Sequence, residues 1–446
     1  MTVYITCLLT SCFPSLDTRR LKEVFLKLGI KEMDLNDGKQ NGSQSYYIIA
    51  KYNEDFLIFF SEFLMPGLVD THIHACQYPN AGLGYDRPLL GWLEEYTFPL
   101  EAKYSDLKFA KKVYDSVVRK TLDCGTTTAC YFSTIHTNGS MVLVESIIEQ
   151  GQRALVGKVN MNTNHPDYYG ETTESSLKET QNFIDLLLNK KNDLVKPVIT
   201  PRFAITCDMK LMKELASLAK KYDIHIQTHI SENIKEISFV KELFPDQESY
   251  GSVYDSAGLL TNKTILAHGV HLSDEEIKLL ADRKSAISHC PLSNSHLKSG
   301  ICNVRKLLQN GVKVGLGTDI SGGCSPSIIQ VMQGALASSV HLCFCCDEES
   351  KELAYEGEYP LALDYQEVFY LATLGGAEAL AMEDKIGNFK VGKDFDALLV
   401  SMKDSSSPVD IHMPYETKEL IQKFMYLGDD RNIKKVFVSG RLVKSL

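Results

Sequence analysis

The feature that most constrains this 446-residue chain is a series of short apolar runs that begins after Pro66 and alternates with longer amphipathic stretches. The runs are apolar nearly throughout rather than at every second residue, which is typical of parallel strands buried on both faces. The intervening stretches are long enough for crossover helices, and apolar residues recur at helical spacing in 108–122 and 209–221. Eight candidate strands result, at 67–74, 126–132, 154–161, 197–204, 224–230, 264–270, 285–290 and 312–317.

Eight strands that alternate with helices predict an α/β fold, a (β/α)8 TIM-type barrel formed by residues 65–383. Residues 384–446 carry turn signals around the short apolar runs 397–400 and 436–438, which favours a small β-rich unit. We expect residues 1–64 to supply the other part of this composite domain, although 36–43 is polar and irregular.

Composition and charge disfavour several classes of function. The formal net charge is −10 and no cluster of Lys and Arg offsets it, so we expect no nucleic-acid partner. There is no apolar run of about 18 residues and no basic region of a signal peptide, so we expect no membrane association. The twelve cysteines are scattered, many inside apolar runs, and the CxxC of Cys343 and Cys346 lacks a second pair at zinc-ribbon spacing. This pattern indicates reduced thiols in a cytoplasmic protein.

Four of the predicted strands end in side chains that bind metals or carry protons. The first strand ends in a His-x-His pair, whose two imidazoles project to the same face, and the fifth, sixth and eighth strands each end close to a histidine or an acid. The carboxyl ends of the strands are where barrel enzymes place their chemistry. The side chains concerned are His72, His74, His229, Glu232, His268 and Asp319.

Each of these residues also has a purely structural interpretation. A single buried histidine is usually a hydrogen-bonded structural residue, and an aspartate at a strand end often caps a helix. Their common position at the ends of four strands favours a metal site instead. The remaining histidines keep the structural interpretation, with His289 as the first candidate for an exception.

Longer segments around these residues resemble the amidohydrolase superfamily, and more closely its animal-type guanine deaminases. The resemblance extends from about Phe63 to Arg441. It includes PGLVDTHIHA at 66–75, WLEEYTFP at 92–99, GTTTACYF at 125–132, TPRF at 200–203 and YLGDDRNI at 426–433.

This resemblance implies hydrolytic deamination of guanine to xanthine and ammonia, with one zinc ion per chain held by His72, His74, His229 and Asp319. The zinc would lower the pKa of a water molecule toward about 7. Asp319 would accept the proton of that water, Glu232 would protonate N3 of the purine as oxygen adds to C2, and His268 would polarise the attacking oxygen.

The resemblance also implies that Gln77 and Arg202 hydrogen-bond the edge of guanine, that Phe203 packs on its ring, and that the protein is a homodimer. Glu232 would contact the substrate as well. One position departs from the family pattern, because Leu292 replaces the first Asn of Cys-Pro-Asn-Ser-Asn. A polar contact at this position is therefore not expected.

Other functions make different demands on the sequence. An amidohydrolase with two metals would usually place a carboxylated Lys after the fourth strand, where this chain has Arg202 and Phe203. The His-x-Glu and Pro-Cys-x-x-Cys motifs of the other zinc deaminase architecture are missing. An inactive scaffold would keep the barrel and lose ligands, and a metal assay separates it from an enzyme. Iron instead of zinc, and other aminopurines or pterins as substrates, stay open.

Overall fold

The structure is a computed structural model that describes residues 3–6, 30–40, 43–52, 62–403 and 405–445. Its strands are β1 Val3–Thr6, β2 Ile30–Gln40, β3 Ser43–Tyr52, β4 Glu62–Pro66, β5 Leu68–His74, β6 Thr126–Phe132, β7 Arg153–Gly157, β8 Val159–Asn160, β9 Val195–Pro201, β10 His225–Ile230, β11 Thr264–His268, β12 Ala286–His289, β13 Lys313–Leu316, β14 Ala397–Ser401, β15 Ile433–Val438 and β16 Arg441–Ser445.

The α-helices of the described residues all come after β5 in the chain, and they lie between successive strands. They are α1 Leu89–Trp92, α2 Phe98–Glu101, α3 Leu107–Asp123, α4 Thr137–Gln150, α5 Thr173–Asn189, α6 Met209–Tyr222, α7 Ile234–Leu243, α8 Tyr250–Ala257, α9 Asp274–Arg283, α10 Pro291–His296, α11 Val304–Gln309, α12 Ile328–Cys343, α13 Glu348–Tyr355, α14 Tyr365–Leu371, α15 Leu374–Ala379 and α16 Thr417–Leu427. Two 3₁₀ helices, Ala75–Asn80 and Ala102–Ser105, and a π-helix, Leu93–Thr97, lie between β5 and α3.

Eight parallel strands form the predicted barrel, in the order β5, β6, β7, β9, β10, β11, β12 and β13. The first and last strands meet through backbone hydrogen bonds beyond β13. The amide of Asp319 donates to the carbonyl of His72 at 2.9 Å, and the amide of His74 donates to the carbonyl of Ile320 at 3.2 Å. The predicted (β/α)8 fold is therefore confirmed, and its closure brings the predicted ligands of β5 beside Asp319.

Burial explains why the strands read as apolar runs. Every residue of β5 and β6 is buried, because helices cover the outer face of the barrel while side chains fill the interior. The helices predicted at 108–122 and 209–221 are α3 and α6, and each is preceded by an aspartate as its N-cap residue. Asp106 accepts a hydrogen bond from the amide of Lys108, and Asp208 accepts one from the amide of Leu211, which satisfies donors at each helix start.

The predicted third strand, 154–161, is interrupted at Lys158. The chain forms β7, and then the short β8, which pairs only with β9. The Lys158 ammonium is buried and donates to both carboxylate oxygens of Glu171, at 2.7 and 2.8 Å. The amide of Val159 meanwhile donates to the carbonyl of Thr134 at 3.0 Å, so the backbone leaves the β6–β7 ladder.

A small antiparallel sheet combines both ends of the barrel sequence, in the order β16, β15, β14 and β4. Buried Arg153 of β7 ties it to the barrel by contacting Asp394 and Asp396 at 2.7 and 3.2 Å. Strands β1, β3 and β2 form a separate three-stranded antiparallel sheet. The domain limits 1–64, 65–383 and 384–446 stay a prediction, and 7–29 and 53–61 lie outside the described residues.

No helix among the described residues is, by itself, long and apolar enough to cross a membrane. Helices α12 and α13 meet that requirement only when taken as a pair, and the pair is bent by 102°.

Candidate active site

A cavity with an empty volume of ≈ 390 Å³ opens at the carboxyl ends of the barrel strands. It combines apolar side chains with converging polar groups, as small-molecule sites do. Every predicted site residue except His72 lines it, and His72 contacts the lining residue Asp319. The lining residues are His74, Gln77, Leu89, Trp92, Leu93, Arg202, Phe203, His229, Glu232, His268, Leu297 and Asp319.

Three histidines and one aspartate converge at the bottom of this cavity. His72 and His74 end β5, His229 lies in β10, and Asp319 follows β13. The ligand atoms of the four side chains all lie within 4.8 Å of one another. Asp319 Oδ1 is 3.1 Å from Nε2 of His72 and 3.5 Å from Nε2 of His74, which in turn is 3.1 Å from Nε2 of His229.

The hydrogen bonding of these ligands fits a bound cation. His229 Nδ1 lies 2.6 Å from the carbonyl oxygen of Arg202 and therefore carries the proton, so its Nε2 presents a lone pair toward His74. The buried Nε2 of His72 faces Asp319 Oδ1 at 3.1 Å without the geometry of a hydrogen bond. Burial lowers the pKa of His74 and of His229, which keeps both imidazoles neutral. Lone pairs and a carboxylate that face one point are the donor set of a metal ion.

The backbone at this site adopts conformations that non-glycine residues rarely use. Ser231, His268 and Asp319 have φ of 48°, 77° and 45°. Such left-handed conformations cost free energy, and in proteins they concentrate at functional sites. Here they occur directly after β10, at the end of β11 and after β13, where they turn the chain away from the strand direction.

Glu232 and His268 lie beside the predicted ligands. His268 Nε2 is 3.5 Å from Glu232 Oε2 and 3.8 Å from Asp319 Oδ2. Ser299 Oγ donates to Glu232 Oε1 at 2.9 Å. Burial raises the pKa of Glu232 to about 7, because a charged carboxylate loses its water shell in this cavity. An acid with a pKa near neutrality is suited to proton transfer.

The cavity wall also carries Gln77, Arg202 and Phe203, three of the four residues predicted to contact the substrate. Arg202 and Gln77 both contact Glu101, a fully buried acid that does not itself line the cavity. Phe203 follows Arg202 in the chain and is buried at the cavity wall. Sequence reasoning missed Glu101, although it lies two residues after the family segment 92–99.

Two further polar residues support the predicted site and were also missed. Ser299 contacts Glu232, and Asn294 Oδ1 lies 2.9 Å from Nδ1 of His268. Leu292, the departure from the family pattern, lies outside the cavity lining and packs against Gly334 of α12. His289 is buried but is not among the cavity-lining residues, and burial lowers its pKa to about 3.

A parallel barrel with three imidazoles and one carboxylate at its mouth defines the class of metal-dependent hydrolases. The chain belongs to the amidohydrolase family, whose sequence profile matches residues 63–443. The resemblance noted in the sequence is thereby confirmed.

Within this family, the chain is similar to several guanine deaminases. Guanine deaminase of Homo sapiens is 50% identical over 389 residues, which cover 86% of this chain and 83% of that protein. Guanine deaminase of Dictyostelium discoideum is 48% identical over 384 residues, with the same shares. The crystal structure of guanine deaminase from C. acetobutylicum, with guanine bound in its active site, superposes with a TM-score of 0.80. It is 36% identical and covers 92% of this chain and 98% of its own.

Proposed function

We propose that this chain is a metal-dependent guanine deaminase that hydrolyses the C2 amine of guanine to give xanthine and ammonia. One observation carries the proposal: a single cavity brings together a metal-ligand set, a proton-carrying acid, a guanidinium, an amide and an aromatic ring. Relatives at about half identity over most of the chain carry the same activity in their names.

The metal in this proposal is one zinc ion per chain, held by His72, His74, His229 and Asp319. Three neutral imidazoles and a carboxylate are a donor set that zinc uses in catalytic sites. When bound, zinc acts as a Lewis acid that lowers the pKa of water to about 7.

The acid and base chemistry belongs to residues of this chain. Asp319 accepts the proton of the attacking water. Its Oδ2 lies 3.8 Å from Nε2 of His268, and His268 orients the water oxygen. Glu232 delivers a proton to N3 of the purine as the oxygen adds to C2. The bond from C2 to its exocyclic nitrogen then breaks as Asp319 passes the proton that it took from water to the leaving amine, which departs as ammonia. The proton that remains on the C2 oxygen returns to Glu232 as the carbonyl of xanthine forms, while N3 keeps the proton that Glu232 delivered. Guanine and water are thus converted to xanthine and ammonia.

The substrate wall complements guanine rather than adenine. Arg202 presents N–H donors, which pair with the carbonyl oxygen O6 of guanine but would meet the amino group of adenine. Gln77 adds an amide beside Arg202, and Phe203 provides an aromatic face for the flat heterocycle. Leu89, Trp92, Leu93 and Leu297 close the cavity with apolar surface, which excludes water.

Assembly and location complete the proposal. We propose a homodimer because the family resemblance implies one. The molar mass in solution, measured by sedimentation or light scattering, tests this assembly. A cytoplasmic location is supported by the cysteines, because the ten in the described part of the chain are all free thiols.

Ammonia release from purified protein, with guanine, adenine, adenosine and cytosine offered separately, tests the substrate. We expect turnover of guanine alone, with xanthine as the purine product. Turnover of another base in place of guanine would reject the substrate while keeping the site. A protein that binds no metal and converts no base would instead favour an inactive scaffold.

A further inference from the structure

Glu101 is a buried acid that holds both polar side chains of the substrate wall. It is the last residue of α2 and has no exposed surface. Arg202 donates to it twice, from Nη1 to Oε2 at 2.6 Å and from Nη2 to Oε1 at 3.1 Å. Gln77 Nε2 donates to Oε1 at 2.9 Å. Arg202 and Gln77 line the cavity, whereas Glu101 lies behind them.

The carboxylate of Glu101 is fully occupied by these and one further donor. The hydroxyl of Tyr169 donates to Oε2 at 2.8 Å, so each oxygen accepts two hydrogen bonds. A carboxylate offers about four acceptor positions, and none is left for a substrate. Glu101 therefore acts through the residues that contact it.

The charge of Glu101 determines which end of the Gln77 amide faces it. The NH₂ group is attracted to a carboxylate, while the amide oxygen would be repelled. The amide oxygen accordingly points the other way and accepts a hydrogen bond from the amide of Ser321 at 3.3 Å. The pattern of donors and acceptors that Gln77 presents to the cavity is thus set by Glu101.

The plane of the Arg202 guanidinium is fixed by the same carboxylate. Two of its N–H groups are engaged by Glu101, and the ring of Phe98 lies 5.0 Å from its central carbon. Because the guanidinium is planar and rigid, fixing two donors fixes the direction of the others. Those remaining donors are available to an acceptor in the cavity.

We propose that Glu101 is a specificity-determining positioning residue, which orients Arg202 and Gln77 toward the O6 edge of the purine. The inference rests on the proposed function. 2-Aminopurine has the amino group of guanine but no O6, so it makes no use of this orientation. The preference of the site for guanine over 2-aminopurine should therefore depend on Glu101.

Glu101→Gln tests the inference, because it keeps the size of the side chain and removes its charge. The new amide lets Gln77 invert and leaves one Arg202 donor without an acceptor. We expect the KM for guanine to rise about 10-fold to 100-fold, as for the loss of a charge-assisted hydrogen bond. We expect kcat, and the inhibition constant of 2-aminopurine, to change by less than about threefold.

A milder variant covers the case in which Glu101→Gln does not fold. Tyr169→Phe removes one donor to Glu101 and leaves the ion pair, so the KM for guanine should rise about 3-fold to 10-fold. Tyr131→Phe is the matched control: it removes a buried hydroxyl that donates to Gln152 at 2.8 Å, outside the cavity. It should leave all three constants unchanged. Metal content should equal that of the wild type in each variant.

The outcomes separate this inference from the proposed function. If the wild type converts guanine but both variants leave its KM unchanged, or weaken guanine and 2-aminopurine equally, the positioning role is overturned and the function stands. If the wild type leaves guanine intact, both are overturned. A rise in the KM for guanine without a matching rise for 2-aminopurine supports the role of Glu101.

Discussion

Replacing Glu232 with glutamine should remove most turnover and leave metal binding intact. Glutamine has the same length, and its side-chain oxygen can still accept the hydrogen bond that Ser299 donates at 2.9 Å, so no cavity is created. Glu232 is also not one of the four converging ligands. What the variant loses is the transferable proton, and general acid catalysis contributes about 10²-fold to 10⁴-fold. This corresponds to about 3 to 5 kcal/mol of activation free energy.

The assay is steady-state formation of xanthine from guanine, with metal determined on the same sample. We expect kcat to fall by the whole contribution of acid catalysis, about 10²-fold to 10⁴-fold, and the KM to change by less than about threefold. Glu276→Gln is the matched control. That buried glutamate accepts hydrogen bonds from the amides of Gly251 and Ser273, at 2.8 and 2.9 Å, outside the cavity. It should lower stability but not kcat. A Glu232→Gln variant with kcat within about tenfold of the wild type would refute the proton transfer.

Three further variants test other parts of the structure. Arg202→Lys keeps a positive charge but loses the planar pair of donors, so the KM for guanine should rise about tenfold with little change in kcat. An unchanged KM would show that Arg202 does not bind the substrate. Gly317→Ala places a Cβ 2.5 Å from Oγ of Ser288 and 2.9 Å from Cβ of His72, so His72 should be displaced and metal affinity, measured by competition with a chelator, should fall about tenfold; unaltered affinity would contradict the need for His72 at its present position. Arg153→Met leaves buried Asp396 unpaired, and the free energy of unfolding in denaturant should fall by about 3 to 5 kcal/mol; an unchanged midpoint would contradict the role of this ion pair.

The sequence predicted the barrel because its physical cause is local. Strands covered on both faces must be apolar, and each of the eight predicted runs overlaps a barrel strand in the structure. The break at Lys158 was not predictable, because the chain leaves the ladder through a buried ion pair with Glu171, a residue in the following loop. Long-range pairing of polar groups leaves no periodic signal in a sequence.

Some residues of the site could be predicted from local sequence signals, whereas others depend on long-range contacts. The predicted ligands end strands, and parallel strands bring their carboxyl ends to one rim, so His72, His229 and Asp319 could be grouped from sequence. Glu101 lies in a short helix between β5 and α3 and meets Arg202 across 101 residues of sequence. Ser299 likewise reaches Glu232 from the loop after α10. Residues such as these, which position other side chains from loops or short connecting helices, can be identified only from the structure.

The rate of guanine deamination as a function of zinc bound per chain tests the central claim most directly. Protein freed of metal by a chelator should be inactive, and added zinc should restore xanthine formation in proportion to loading, with saturation at about one ion per chain. Full turnover by metal-free protein, or no turnover by fully loaded protein, would contradict a catalytic metal held by His72, His74, His229 and Asp319.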